Sequence, residues 1–143
     1  MDIFTTEKRS AVMGNIRGSN TKPELTLRSM LHGLGYRFTV NGVRNKKLPG
    51  KPDIIVPKYR TIVLVHGCFW HGHENCSAFR PPETRQDWWM TKIEGNRARD
   101  ARIEKVLTEM GWNVVTIWEC ALKTEKARKW LETRLPALIG RRV

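Results

Sequence analysis

The sequence predicts one α/β domain, a mixed sheet sandwiched by helices. Three observations carry this. The chain has 143 residues, a length that fits a single domain with a real core and no need of disulfide staples. Short β-branched runs at Ile54–Val56, Thr61–Val65 and Val114–Ile117 read as buried strands. Between and around them, apolar residues recur three and four apart, the spacing of helices with one buried face.

In chain order, residues 1–20 carry Lys8, Arg9 and Arg17 around Val12, Met13 and Ile16. They read either as a short helix, weakened by Gly14 and Gly18, or as a basic surface arm, ahead of a core spanning 21–143. Thr21-Lys22-Pro23-Glu24 is a helix start, with Pro in the first turn and an acid three residues after the cap. Leu27, Met30, Leu31 and Leu34 form its buried stripe, and Gly35 suits the position past its end. Tyr36, Phe38 and Val40 alternate as in a strand, and Asn41-Gly42 signals a turn. Pro49 and Gly50 keep the next stretch irregular and leave Asp53 at the mouth of the Ile54–Val56 strand. Pro57–Arg60 then turns the chain into the Thr61 strand, a hairpin with Asp53 near one end and His66 just past the other. From Thr84, with Asp87 three later, a long helix is expected to bury Ile103, Val106, Leu107 and Met110 and to stop at Gly111. Trp112–Trp118 is the fourth strand. A last helix from Thr124 is expected to turn Trp130, Leu131, Leu135 and Leu138 inward, with Pro136 kinking or shortening it.

Charge narrows the function. Lys and Arg number 26 against 14 Asp and Glu, a formal charge of +12 spread along the chain. A folded basic domain points to a polyanionic partner, nucleic acid before membrane surface. No apolar run is long enough to span a bilayer, and MDIFTTEKRS lacks the apolar segment of a signal peptide. The expected location is the cytoplasm, where three cysteines are thiols or metal ligands rather than a disulfide framework.

The chain is organised around Thr61–Cys76, TIVLVHGCFWHGHENC, which holds three of the four histidines and two of the three cysteines. A strand that runs into metal-competent residues and the Phe69-Trp70 pair is a scaffold presenting a site. Cys68, His73 and Cys76, with Cys120 from a later strand end, make a four-ligand set suited to structural zinc. The plainer reading is three independent buried thiols. Asp53 is a magnesium ligand candidate, with the Val65 carbonyl as a second. His66 and His71 are not needed for zinc and can move protons near neutral pH. Asn96 and Asp100, four apart on the long helix, share a face. Metal, base and basic surface together suit phosphodiester hydrolysis. Each residue also has a bland reading: Glu24 as a mere cap, Pro-Asp as a turn, Asn96 and Asp100 as a solvated face.

LPGKPDIIV, VLVHGCFWHGH, Cys76 and WECAL together resemble the very-short-patch repair endonucleases, the Vsr family, over about Glu7–Leu122. The resemblance implies a restriction-endonuclease-like fold. It implies magnesium-dependent nicking of double-stranded DNA 5′ of the thymine in T·G mismatches left by 5-methylcytosine deamination. It makes Asp53 the catalytic magnesium ligand beside the Val65 carbonyl, and His66 and His71 the catalytic histidines, with Glu24 nearby. Asn96 and Asp100 match supporting positions behind them, and Cys68, His73, Cys76 and Cys120 match the zinc ligands. Met13, Phe69 and Trp70 match residues that wedge into the base stack. It further implies a nucleoid-associated monomer linked in function to a cytosine-5 methyltransferase and mismatch-repair proteins. One departure stands out: Gly-His-Glu-Asn-Cys after His71 is one residue longer than the family pattern, which bears on His73 as ligand. Two other classes compete. One is a sequence-specific restriction endonuclease of the same fold; the other is a zinc-stabilised DNA-binding module without catalysis. Binding alone requires none of Asp53, His66 and His71.

Overall fold

Strand Thr61–His66 is the middle of the sheet because nearly every residue in it is buried. The structure, a computed structural model, describes residues 21–40, 42–74, 76, 79 and 83–140. Among the described residues, three strands make the sheet: β1 (Ile54–Val56), β2 (Thr61–His66) and β3 (Asn113–Trp118). β1 runs antiparallel to β2, with Ile54 opposite Val63 and Val56 opposite Thr61. A single 3-10 turn, Pro57–Tyr59, joins them, and Arg60 closes it in the left-handed region at φ 46°. β3 runs parallel to β2, with Thr61 opposite Asn113 and His66 opposite Trp118. Parallel neighbours need a long crossover, which a helix supplies.

Among the described residues there are four helices, α1 (Lys22–Gly33), α2 (Val43–Lys47), α3 (Gln86–Glu109) and α4 (Glu125–Ile139); the periodicities account for all but the short α2. α1 and α4 cover one face of the sheet, where Leu27, Leu31, Leu131 and Leu135 pack on Ile54, Val56, Val63, Val115 and Ile117. α3 covers the other, where Leu107 and Ile103 pack with Ile55, Ile62 and Leu64. The alternation of strand side chains sorts the residues: odd positions of β2 and β3 face α1 and α4, even positions face α3. Leu27, Leu31 and Leu135 are fully buried, each worth about 1.5–3 kcal/mol in area removed from water. The end of α4 is tied to β2, to β3 and to the segment after α1. Tyr36 Oη donates to the Gly140 carbonyl at 2.6 Å, Thr61 Oγ1 to that of Ile139 at 3.3 Å, and Asn113 Nδ2 to that of Leu138 at 2.9 Å.

The structure departs from the sequence reading at several points. Tyr36–Val40 is not a strand: it makes one bridge, Thr39 with Ile55. Its alternation correctly reports which side chains face the core, but the chain swings off into α2 before a ladder can extend. In the hairpin, Asp53 and His66 sit at the same end of the sheet, and His66 is the last residue of β2 rather than past it. In α3, Leu107 is buried as expected, but Val106 and Met110 are exposed and Ile93 is buried as well. α3 also starts at Gln86, after a left-handed Arg85, rather than at Thr84. In α4, Leu131, Leu135 and Ile139 take the inward stripe and leave Trp130 and Leu138 on the outside. That helix runs on through Pro136 to Ile139. Thr21 precedes α1 without a side-chain cap bond, whereas Thr124 does cap α4 through the Ala127 N–H at 3.1 Å. Residues 1–20, including Met13, lie outside the described part.

Candidate active site and metal centre

Asp53 and β2 meet because the antiparallel register sets the residue before β1 against the end of β2. The Val65 N–H donates to Asp53 Oδ2 at 3.1 Å. Burial pushes the Asp53 carboxyl up to about 6, from an ordinary 3.8, against the opposing pull of the Val65 hydrogen bond; Glu24 adds to the rise. Glu24 is itself buried in α1 and forms an ion pair with Arg28 one turn on. The loop that delivers Asp53 is held by Asn45, a buried side chain of α2. Its Nδ2 donates to the carbonyls of Thr39 at 3.0 Å and Pro52 at 3.2 Å, and its Oδ1 accepts from Thr39 Oγ1 at 2.8 Å. Sequence reasoning missed Asn45, because VRNKK shows neither apolar stripe nor cap.

His66 ends β2 on the α3 face. His71 lies in the following loop and stacks on it, with centroids 4.0 Å apart and planes 3° from parallel. Burial, then the neighbouring His71, lowers the His66 pKa to about 4, so the ring is neutral at physiological pH. His71 Nδ1 lies 2.6 Å from Asp100 Oδ2 on α3. Asn96, one turn earlier, donates to the Trp70 carbonyl at 2.8 Å. Arg97 Nε donates to the Gly72 carbonyl at 3.0 Å. The helical face predicted for Asn96 and Asp100 therefore grips the loop 70–72. Gly72 is required there: φ is +61°, and a Cβ would lie 2.6 Å from Ile93 Cγ2 and 2.5 Å from Arg97 Nε.

The loop then turns back to the sheet end. Cys68, His73, Cys76 and Cys120 bring their ligand atoms within 4.8 Å of one another, and His66, His71 and Asp100 form a second such group. The Cys120 N–H donates to Cys68 Sγ at 3.4 Å, and Cys120 Sγ lies 3.6 Å from His73 Nδ1. A tetrahedral ion with bonds near 2.3 Å to sulfur and 2.0–2.1 Å to nitrogen sets those two atoms about 3.6 Å apart. The donor set therefore fits zinc, and His73 reaches it despite the longer loop. Burial pushes the Cys68 thiol up to about 12, and burial also raises Cys120. Such thiols stay protonated until a cation displaces the proton.

Phe69 and Trp70 emerge beside this cluster, half-buried rather than fully exposed. They join two aromatics from the start of α3. Trp89 packs 5.6 Å from Phe69 and 5.9 Å from Trp70, and Trp88 lies edge-on to Trp89 at 4.8 Å. Lys92 stands over Trp70 and Trp88, and Arg85 over Trp88. Two adjacent tryptophans at a helix start, one of them 47 % exposed, were the signal for this extension.

A sequence profile of the family described as DNA mismatch endonuclease Vsr matches residues 1–77. The chain belongs to the Vsr family. It is 46% identical over 134 residues to the type II nicking enzyme V.XorIIP of Xanthomonas oryzae, covering 94% of this chain and 93% of that one. It is 44% identical over 124 residues to the type II nicking enzyme V.NmeAIP of Neisseria meningitidis, covering 87% and 86%. It is 39% identical over 140 residues to the DNA mismatch endonuclease Vsr of Escherichia coli, covering 91% and 87%. In this Vsr-family chain, both candidate clusters and the aromatic group occupy one end of the sheet, reached from the end of β2 and the start of α3. Among the described residues, no helix is long and apolar enough to cross a membrane.

Proposed function

We propose that the chain is a magnesium-dependent DNA nickase. It would cut one strand 5′ of the thymine in T·G mismatches that arise when 5-methylcytosine deaminates, and so open very short patch repair. One observation carries the reading: Asp53 and Val65 share a sheet end with the stacked His66–His71 pair, and His71 is anchored on Asp100. Asp53 and the Val65 carbonyl would hold magnesium, which supplies charge neutralisation at the phosphodiester. The protein's own groups do the rest. His71 would donate a hydrogen bond from its Nδ1–H to Asp100 and keep that proton, which leaves Nε2 free to take the proton of the attacking water. Asp100 then stabilises the imidazolium formed, the orienting role a carboxylate plays behind a catalytic histidine. His66 is neutral and parallel to that ring, so it fixes the plane without adding a like charge. Glu24, paired with Arg28, acts on Asp53 electrostatically, Glu24 raising its pKa and Arg28 lowering it. Asn96 holds the loop through the Trp70 carbonyl.

Cys68, His73, Cys76 and Cys120 would hold a structural zinc ion that orders this loop. Phe69 and Trp70, joined by Trp89, would wedge beside the mismatch, and Met13 is proposed for the same role. Mixed sheet and covering helices support a restriction-endonuclease-like architecture over one domain, residues 1–143. The enzyme would work in the cytoplasm as a monomer on chromosomal DNA, alongside a cytosine-5 methyltransferase whose product gives rise to the mismatch.

A second reading, sequence-specific nicking, is favoured by the names of two of the relatives. The test is a nicking assay with magnesium on duplexes that carry T·G, C·G or T·A at one site in varied contexts. Cleavage confined to T·G supports mismatch repair. Cleavage of C·G and T·G alike in one context supports the second reading. No cleavage in any context overturns both.

A further inference from the structure

One residue at this sheet end has no role in the mechanism above and touches both clusters. Trp118 ends β3 in register with His66, the last residue of β2. One side of its indole is covered by the candidate zinc ligand His73, with rings 4.1 Å apart and 10° from parallel. The His66 ring meets it edge-on at 5.3 Å and 79°, and His71 lies beyond at 6.5 Å and 77°. The backbone then runs directly to Cys120, whose N–H donates to Cys68 Sγ. The indole is thus a spacer between two groups of imidazoles. It is rigid, with two side-chain torsions to fix, and aromatic pairs in these geometries are favourable beyond the area they bury.

We propose that Trp118 is a positioning residue that couples the Cys68–His73–Cys76–Cys120 cluster to the His66–His71 pair. The inference rests on the reading of the histidines as catalytic. Metal at the cluster fixes His73; His73 fixes the indole plane; the indole fixes the plane in which His66 and His71 stack. A zinc site that otherwise only orders a loop then also sets the orientation of the reacting imidazole. Partners that orient catalytic or ligating groups typically matter by about 10- to 100-fold, and small misplacements act on rate rather than on binding.

The test compares Trp118→Leu with Trp118→Phe in the zinc-loaded full chain. Four quantities are read: zinc content, melting temperature, mismatch duplex affinity, and single-turnover nicking with magnesium. A nitrogen correlation spectrum of the imidazoles, recorded without DNA, reports His66 and His71 directly. Trp118→Phe keeps a ring against His73 and should retain zinc and nick within a few-fold of the parent. Trp118→Leu should retain zinc and duplex affinity, nick about 10- to 100-fold more slowly, and show displaced His66 and His71 resonances. Parental nicking by Trp118→Leu overturns the proposal, as does slowed nicking with both resonances in place. Loss of zinc and nicking together in both variants also overturns it, since the indole would then be packing for the metal site alone. The spectrum needs no cleavage, so the coupling is judged even if the parent nicks nothing, an outcome that counts against the proposed function instead.

Discussion

Replacing Asp53 by Asn should stabilise the magnesium-free protein at alkaline pH and leave it unchanged in acid. The folded-state carboxyl titrates near 6 rather than at 3.8, chiefly because it is buried. Between those values the folded chain binds more protons than the unfolded one. The contribution of Asp53 to stability is therefore full below about pH 4 and lost as pH rises through about 6. The gap of about two pH units is worth about 3 kcal/mol, the upper bound on what an ionised Asp53 costs the empty site at pH 8. The amide in the Asp53→Asn variant would carry no charge, and its carbonyl oxygen can still accept the Val65 N–H that Asp53 accepts at 3.1 Å. For a chain of this size about 3 kcal/mol corresponds to roughly a 10 °C rise in melting temperature. The assay is paired thermal melts of parent and variant at pH 4.5, 6 and 8, with zinc retained and magnesium omitted. Zinc loading changes with pH in both proteins alike and cancels in the difference. Magnesium added at pH 8 should then raise the parent's melting temperature and not the variant's. Equal stability at pH 8, or a gap that does not shrink toward pH 4.5, would refute the reasoning.

Cys120→Ser should lower both the zinc bound per chain, by metal analysis, and the melting temperature, because it cuts the link between the end of β3 and the Cys68 loop. Full zinc with unchanged melting would show that the cysteines are separate. Gly72→Ala should cost about 2–4 kcal/mol in denaturant unfolding, from a left-handed backbone and an overpacked contact with Ile93 and Arg97. A smaller loss would mean that the loop relaxes away from α3. Trp70→Ala should lose more nicking on T·G duplex than it loses in affinity for matched duplex. A wedge lowers the cost of unstacking where the base pair is already weak. A variant that discriminates T·G from C·G as the parent does would assign Trp70 to packing within the aromatic cluster.

The three long helices and the central strands were legible because their cause is local. Leu27 and Leu31 fall on one stripe, and β-branched residues fill β2 and β3. The cysteine and histidine spacing was legible for the same reason, since three of its four members lie within one loop. Elsewhere the determinants are not local. Tyr36–Val40 alternates as a strand does, but alternation reports inside and outside, and pairing depends on where the chain goes next. Trp130 and Leu138 are apolar and flank the true stripe, so composition placed them inward while the geometry of Leu131, Leu135 and Ile139 placed them outward. The i, i+4 spacing of Asn96 and Asp100 showed a shared face, but their partners Trp70 and His71 lie 26 and 29 residues away. Asn45 acts through carbonyls of Thr39 and Pro52 that only the folded loop brings together.

The ties at the end of α4 bear on when, during synthesis, this chain can first harm DNA. β2 has its parallel partner only once β3 has emerged, and those two strands lie some 50 residues apart in translation order. The helix that seals their other face is pinned by Tyr36, Thr61 and Asn113, side chains made long before it. A nascent chain that has produced Asp53, His66 and His71 therefore has no sheet end on which to assemble them. On the proposed mechanism, hydrolysis would await β3, Cys120 and α4 together. An aborted translation product that stops short of β3 would carry every basic residue of the α3 surface yet no assembled nuclease, and would be a bystander on the chromosome rather than a source of stray breaks.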